Sequence, residues 1–179
     1  MQDFRLVPPT AVPVSEITAL RSEFLAETSL IQGGNGLERF DDPQDWLAHC
    51  EMMSDPATLP EGYVEAEAWL LVRGDEPRIL GLVSLRRSID HDRLREYGGH
   101  IGYSIRPSER GKGLAKIQLE LTLERCRALN LGQVLLTCQV DNEASRRTMI
   151  ACGGIFDRLS TEITADGQTC VRNRFWITL

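Results

Sequence analysis

Apolar residues recur along the chain in two rhythms, alternating in some stretches and returning every three to four residues in others, and each rhythm predicts an element. Phe4–Val7 predicts a short strand, ended by Pro8-Pro9, which cannot donate to a ladder. Ile17, Leu20 and Phe24 share one helical face, so a first helix is expected, capped by Ser15 and running to about Thr28. The run Gly33-Gly34-Asn35-Gly36 then predicts a flexible loop, either a plain connector or a lid over an acceptor. Asp42-Pro43 opens a second helix, with Pro at the first position, Asp45 in the first turn, and Trp46, Leu47, Cys50 and Met53 as the apolar stripe.

Residues 63–73 and 78–87 predict two strands joined by a turn at Gly74-Asp75-Glu76-Pro77. The first alternates, with Val64, Ala66, Ala68 and Leu70 on one face and Glu65, Glu67 and Trp69 on the other. The second is apolar almost throughout, as befits a strand covered on both faces. A charged connector with some helical character, IDHDRLREY, leads to the strand GGHIGYSIRP. From Gly113 to Asn130, Leu114, Ala115, Ile117, Leu119, Leu121, Leu123, Cys126 and Leu129 form an apolar face broad enough to lie on a sheet. QVLLTCQV is a strand, DNEASRRTMIACG a cap and short helix, and 154–163 another strand. A hairpin turn at Asp166-Gly167 returns the chain through 170–177. The order is β-α-α-β-β-β-α-β-α-β-β, an α/β arrangement with a mixed sheet and one crossover in its middle.

Length and composition narrow the function classes. With 179 residues the whole chain, 1–179, fits one domain with a sizeable core. A net charge of -6, without a basic arm or stripe, argues against a nucleic-acid partner. No apolar run approaches the ~20 residues of a membrane span, and the N-terminus lacks the apolar segment of a secretory signal. Cys50, Cys126, Cys138, Cys152 and Cys170 are odd in number and show no C-x-x-C spacing. They read as reduced thiols of a cytoplasmic protein, with neither a disulfide framework nor a metal site expected.

The chemistry-bearing stretch is IRPSERGKGLA, 105–115. A strand runs into Arg110, Gly111, Lys112 and Gly113, and a helix starts directly after. Backbone N–H groups are unpaired at such a start and the helix dipole is positive there, so the geometry suits an anion. The spacing is not that of a P-loop, because Gly111-Lys112-Gly113 lacks the preceding glycine spacing and the following Ser/Thr. Nor is it the dinucleotide fingerprint, since Lys116 stands where the third glycine belongs. Arg110, Gly113 and Ala115 do fit R-x-x-G-x-A, which resembles motif A of the GNAT superfamily of acetyl-CoA-dependent N-acetyltransferases. The segment VLLTCQVDNEASRRTMIACGG is similar to motif B of that superfamily, and the element order matches too, so the likeness spans most of the chain. LPEGYVEAEAWLLV, GGHIGYSIRPSERGKGLA and VDNEASRRTMIACGG look most like predicted bacterial GNAT enzymes with no assigned acceptor.

The resemblance implies a fold, a coenzyme and a set of roles. Two parallel strands of a mixed central sheet, flanked by helices, would splay apart to admit the pantetheine arm, which would pair with backbone around Ile105. Backbone N–H groups of Arg110, Gly111, Lys112, Gly113, Leu114 and Ala115 would hold the pyrophosphate, and the Arg110 side chain would tie the loop. Asn142 and Ser145 match positions that contact the coenzyme. Many relatives carry a Tyr seven residues after that Asn to protonate the departing thiolate; here the position is Met149, which has no proton to give. Tyr103 is the substitute donor to consider. An alkylammonium has a pKa near about 10, so its proton must be removed. His100 is the first candidate base, with Glu65 and Glu67, on one face of their strand, next. Cys138 could form an acetyl-cysteine only if activated, and no partner for it is visible. The acceptor would be a small-molecule or peptide amine, and a homodimer is left open. The competing readings are an acetyl-CoA sensor or structural module that has lost catalysis, and transfer of a longer acyl group such as succinyl or propionyl.

Overall fold

The computed structural model describes residues 3–28, 30–163 and 167–179. Its principal elements follow the expected order: β1 (Phe4–Val7), α1 (Val14–Leu25), α2 (Pro43–Ser54), β2 (Ala66–Arg73), β3 (Gly81–Arg86), β4 (Ile101–Ile105), α3 (Leu114–Ala128), β5 (Gln133–Gln139), α4 (Glu143–Ala151), β6 (Ile155–Ile163) and β7 (Thr169–Thr178). Asp166 of the expected hairpin turn lies outside the described residues.

Local chemistry sets most boundaries. Asp42 caps α2, its Oδ1 accepting from the Gln44 N–H at 2.8 Å, and Pro43 fills the first position, where a missing N–H costs nothing. At α1 the expectation fails: the helix begins at Val14, after Pro13, so Ser15 lies inside the first turn and caps nothing. β2 starts at Ala66, because a turn in which Tyr63 N–H donates to the Pro60 carbonyl holds the preceding residues out of the sheet. β3 starts at Gly81 because the Ile79 N–H is taken by the Glu16 carboxylate instead of a neighbouring strand. The connector before β4 closes as a single π-helical turn, Leu94–Gly98.

Seven strands form two antiparallel sheets, β1-β2-β3-β4 and β5-β7-β6. One face of the first sheet packs on α1 and α2 through Ile17, Leu20, Phe24, Trp46, Leu70 and Leu82. The other meets α3 and the second sheet through Val83, Leu85, Leu119, Leu123, Val134 and Phe175. β3 is apolar throughout because Leu82 serves one cluster and Val83 and Leu85 the other. Helix α3 departs from its purely apolar reading, since Gln118 and Thr122 are fully buried in it. Both are satisfied there: Gln118 Nε2 donates to the Leu82 carbonyl at 2.6 Å and Thr122 Oγ1 to the Gln118 carbonyl at 2.7 Å. Among the described residues no helix is long and apolar enough to cross a membrane.

β4 is the outer strand of the first sheet and β5 the outer strand of the second. These two edges face each other at one end and share no ladder. That juxtaposition positions the site.

Candidate active site

The end of β4 is anchored before the loop begins. Arg106, 2% exposed, donates through Nε to Glu23 at 2.7 Å and through Nη1 to Glu16 at 2.9 Å, which fixes the strand end to α1. A single turn, Pro107–Glu109, follows; buried Glu109 accepts from Arg78 at 3.1 Å and from Lys112 Nζ at 2.7 Å. Arg110 Nη1 donates to Glu27 at 2.6 Å, its Nε donates to the Ile105 carbonyl at 3.3 Å, and its guanidinium sits 5.8 Å from the Phe24 ring centre. The side chain therefore ties the loop to both β4 and the end of α1.

Gly111 and Gly113 have φ of +78° and +75°, and a Cβ on either would meet open space. Glycine is needed there for the left-handed backbone, and the surface it leaves is free for a ligand. Among the described residues the N–H groups of Gly111, Lys112 and Gly113 have no protein acceptor. Gly113 is the N-cap of α3 and offers no side-chain cap. Leu114, buried with Leu71 and Leu80, pins the helix start beneath, while Ala115 is half-buried. The result is a row of free donors at the positive end of a fifteen-residue helix, a site for a phosphate or pyrophosphate.

At the opposite end of β4 the two sheets are stitched together by His100. Its N–H donates to the Leu135 carbonyl at 2.8 Å and its Nδ1 accepts from the Leu135 N–H at 2.9 Å, so the imidazole takes the place of a backbone carbonyl. The ring is buried, edge-on to Trp176, and burial together with the Arg86 charge pushes its pKa down to about 4. Beyond this clasp the gap between β4 and β5 is spanned by side chains. Tyr103 Oη and Ser145 Oγ are 3.0 Å apart. Burial lifts Tyr103 to about 12, so its phenol carries its proton at neutral pH. Burial also raises Cys138, which leaves it a poor nucleophile. Asn142 caps α4, its Oδ1 accepting from the Ser145 N–H at 3.0 Å. Met149 is 1% exposed and packs in the core beneath that helix.

The two carboxylates on β2 and its approach are committed elsewhere. Glu65 pairs with Arg87 at 3.0 Å. Buried Glu67 takes Arg125 of α3 in a two-point contact at 3.0 and 3.2 Å, Arg87 at 3.1 Å and the Trp69 Nε1–H at 2.9 Å. Burial pushes this carboxyl up, and the hydrogen bonds from Arg125, Trp69 and Arg87 more than reverse it, leaving it below the usual range. Glu67, Trp69 and Arg125 line a cavity of about 450 Å³ against α2.

On the other face, Val64 and Ala66 border a second cavity of about 490 Å³ whose polar lining includes Asn35, Arg39, His49, Arg86, His91 and Arg93. The glycine loop before α2 forms its rim, and it is packed rather than loose. A Cβ on Gly33 would lie 2.5 Å from the Gly102 carbonyl oxygen, Trp46 Nε1 donates to the Gly34 carbonyl at 2.8 Å, and Ser104 Oγ donates to the Gln32 carbonyl at 2.6 Å. The expected flexibility gives way to a loop seated on β4. His49, His91, Arg39 and Arg86 were not singled out from the sequence; Arg86 reads there as the end of a strand and His91 as part of a charged connector. Among the described residues no group of three or more His, Cys, Asp or Glu side chains could hold a metal.

No curated protein matches the chain in sequence. A family model described as the acetyltransferase (GNAT) domain matches residues 21–155. Among solved structures, the ribosomal-protein-S5-alanine acetyltransferase of Vibrio fischeri is 20% identical, with a TM-score of 0.67 over 98% of this chain and 91% of that one. An acetyltransferase of Salmonella typhimurium that modifies the N-terminal serine of ribosomal protein L7/L12 is 17% identical, with a TM-score of 0.65 over 99% and 95%. The microcin C7 self-immunity acetyltransferase MccE, solved with acetyl-CoA and AMP, is also 17% identical, with a TM-score of 0.65 over 99% and 93%. At these identities the likeness is one of fold, and the family rests on the match to more than half of the sequence. The chain belongs to the GNAT acetyltransferases.

Proposed function

We propose that the protein is an acetyl-CoA-dependent N-acetyltransferase of the cytoplasm that acetylates a primary amine directly, with no acetyl-enzyme. The observation that carries this reading is the loop with three unpaired N–H groups, two left-handed glycines and open space at the start of α3. Gly111, Lys112, Gly113, Leu114 and Ala115 present backbone donors to the pyrophosphate, Arg110 braces the loop, and the free edge of β4 at Ile105 receives the pantetheine amides. Asn142 still has its amide N–H to offer, and Ser145 a hydroxyl.

The coenzyme supplies an acetyl thioester whose carbonyl carbon a neutral amine attacks. Tyr103, kept protonated by burial and partnered by Ser145, donates its proton to the sulfur as the carbon–sulfur bond breaks, in place of the hydroxyl that Met149 lacks. The tyrosinate regains a proton from the nitrogen that has formed the new bond, so the relay returns to its starting state. His100 serves as the clasp that sets the separation of β4 and β5. With Nδ1 engaged and a pKa near 4, it is a weak proton acceptor. Glu67, bound to Arg125, holds β2 to α3, Glu65 is paired with Arg87, and the ammonium proton leaves by water.

The loss-of-catalysis alternative draws on Met149; the Tyr103–Ser145 pair across the gap favours the enzyme. A screen of primary amines with purified protein, following release of free coenzyme A thiol, tests the reading. Acetyl-CoA turnover with at least one amine class is expected, with succinyl- and propionyl-CoA slower. Tight acetyl-CoA binding without amine-dependent release would favour a sensor.

A further inference from the structure

We infer that the acceptor amine carries an anionic group, a carboxylate or a phosphate, that is bound by Arg86 and Arg39 in the 490 Å³ cavity beneath the 31–36 loop. The inference rests on the transferase reading and specifies its acceptor. The chain as a whole is acidic, with 26 Asp and Glu against 20 Lys and Arg. Yet this cavity is lined by three arginines and two histidines, and by no Asp or Glu among the described residues.

The lining cations are not equally engaged. Arg93 is neutralised by Glu162 at 3.1 Å. Arg86 and Arg39 have no carboxylate partner among the described residues. Arg86 sends Nη1 to the Gly99 carbonyl at 3.2 Å, and the rest of its fork is unspent. Burial lowers its pKa, so the fold holds a guanidinium where charge is disfavoured, and no carboxylate among the described residues compensates it. Asn35 adds a buried amide beside the Cys50 thiol, its Nδ2 having no oxygen or nitrogen acceptor among the described residues. The 450 Å³ cavity shows the contrasting case: there Arg125 and Arg87 close on Glu67, and the charges are spent inside the protein.

Position and size agree with an acceptor pocket. The Arg86 N–H donates to the His100 carbonyl at 2.8 Å, so the guanidinium stands at the start of β4, the strand that receives the pantetheine in the proposal above. Asn35 and Gly36 on the rim belong to the loop seated on Gly102 of that same strand. The volume lies within the range of about 300–1,000 Å³ usual for small-molecule sites. A planar guanidinium fork matches carboxylate and phosphate oxygens two at a time, so Arg86 would orient such a group and with it the amine.

The test uses matched acceptors: aminoalkyl carboxylates and aminoalkyl phosphates, each paired with the amide or alcohol of equal length, assayed with acetyl-CoA by thiol release. Anionic members should exceed their neutral partners in kcat/KM by about thirtyfold or more, the usual worth of a buried charge contact. The series showing the larger ratio identifies carboxylate or phosphate as the group read. Arg86→Gln should erase most of that ratio through KM, Arg86→Lys should restore part of it, and Arg39→Gln, at an exposed position, should lower it without risk to the fold. Calorimetric affinity for acetyl-CoA should stay unchanged in all three. Equal rates for the neutral members, a ratio untouched by both Arg86→Gln and Arg39→Gln, or no turnover of any anionic amine while acetyl-CoA binds normally would each overturn the inference. Failure of the wild-type protein to bind acetyl-CoA would instead overturn the transferase reading, and this inference with it.

Discussion

Just before its first residue β4 is stitched to the neighbouring sheet through both polar groups of Leu135, and past its last residue it runs on to Gly111, Lys112 and Gly113, whose N–H groups have no partner among the described residues. The closed end uses a buried imidazole to complete a backbone pair. The open end uses glycines, a bare helix start and an arginine brace to hold donors exposed. Closure at one end is what lets the other stay open. Two sheet edges joined at a single point leave the remaining length for a ligand backbone to pair with, whereas a full ladder would have consumed it.

The largest expected effect breaks the open end. Gly113→Glu places a carboxylate where a phosphate must sit, and acetyl-CoA affinity should fall about a thousandfold, ~4 kcal/mol by calorimetry. Gly153→Glu is the matched control, since Gly153 also has a left-handed φ of +89° and open space. It should lose similar backbone stability and keep the affinity.

The next effect belongs to the closed end. His100 has its pKa lowered to about 4 from an ordinary 6.5, so between those values the unfolded chain binds the proton and the folded protein does not. Its contribution is fully present above pH 6.5 and is lost as pH falls toward 4, up to about 3 kcal/mol. Denaturant titrations should show wild type losing more stability across that window than His100→Leu, which starts lower because the Leu135 N–H is orphaned. At neutral pH the folded variant should keep kcat within about tenfold. A fall of about 10²–10⁴ would return His100 to the role of base.

Tyr103→Phe lies between the two ends. It should lower kcat about a hundredfold, the low end for a positioned proton donor, while acetyl-CoA affinity holds. The smallest effect is Met149→Tyr. Enlarging a side chain that is 1% exposed should cost about 1–2 kcal/mol of stability and leave the rate within about tenfold, because Tyr103 already supplies the proton.

The open end was legible in the sequence and the closed end was not, for a physical reason. Glycines at 111 and 113 before a periodic apolar helix declare their backbone requirement locally, as Asp42-Pro43 declares the start of α2. His100 looks like any histidine at a strand start until Leu135, thirty-five residues on, is brought against its ring. Glu65 falls just before β2 and Glu67 within it, and both carboxylates turned out to be bound by arginines. Arg39, His49, Arg86 and His91 come from α2, the end of β3 and two connectors, so only the folded chain gathers them. Ser15 failed as a cap because Pro13 sets the helix start two residues earlier, a contest between neighbours that propensity alone does not decide.

Amide hydrogen exchange of the wild-type protein, with and without saturating acetyl-CoA, tests most directly whether the open end of β4 is the coenzyme site. The N–H groups of Gly111, Lys112 and Gly113 have no acceptor among the described residues and should exchange rapidly in the unliganded protein. Acetyl-CoA should slow exchange at those three amides and along the β4 edge, and should leave the already bonded His100 and Leu135 amides nearly unchanged. Unaltered exchange at 111–113, with protection appearing around Glu67 and Arg125 instead, would contradict it.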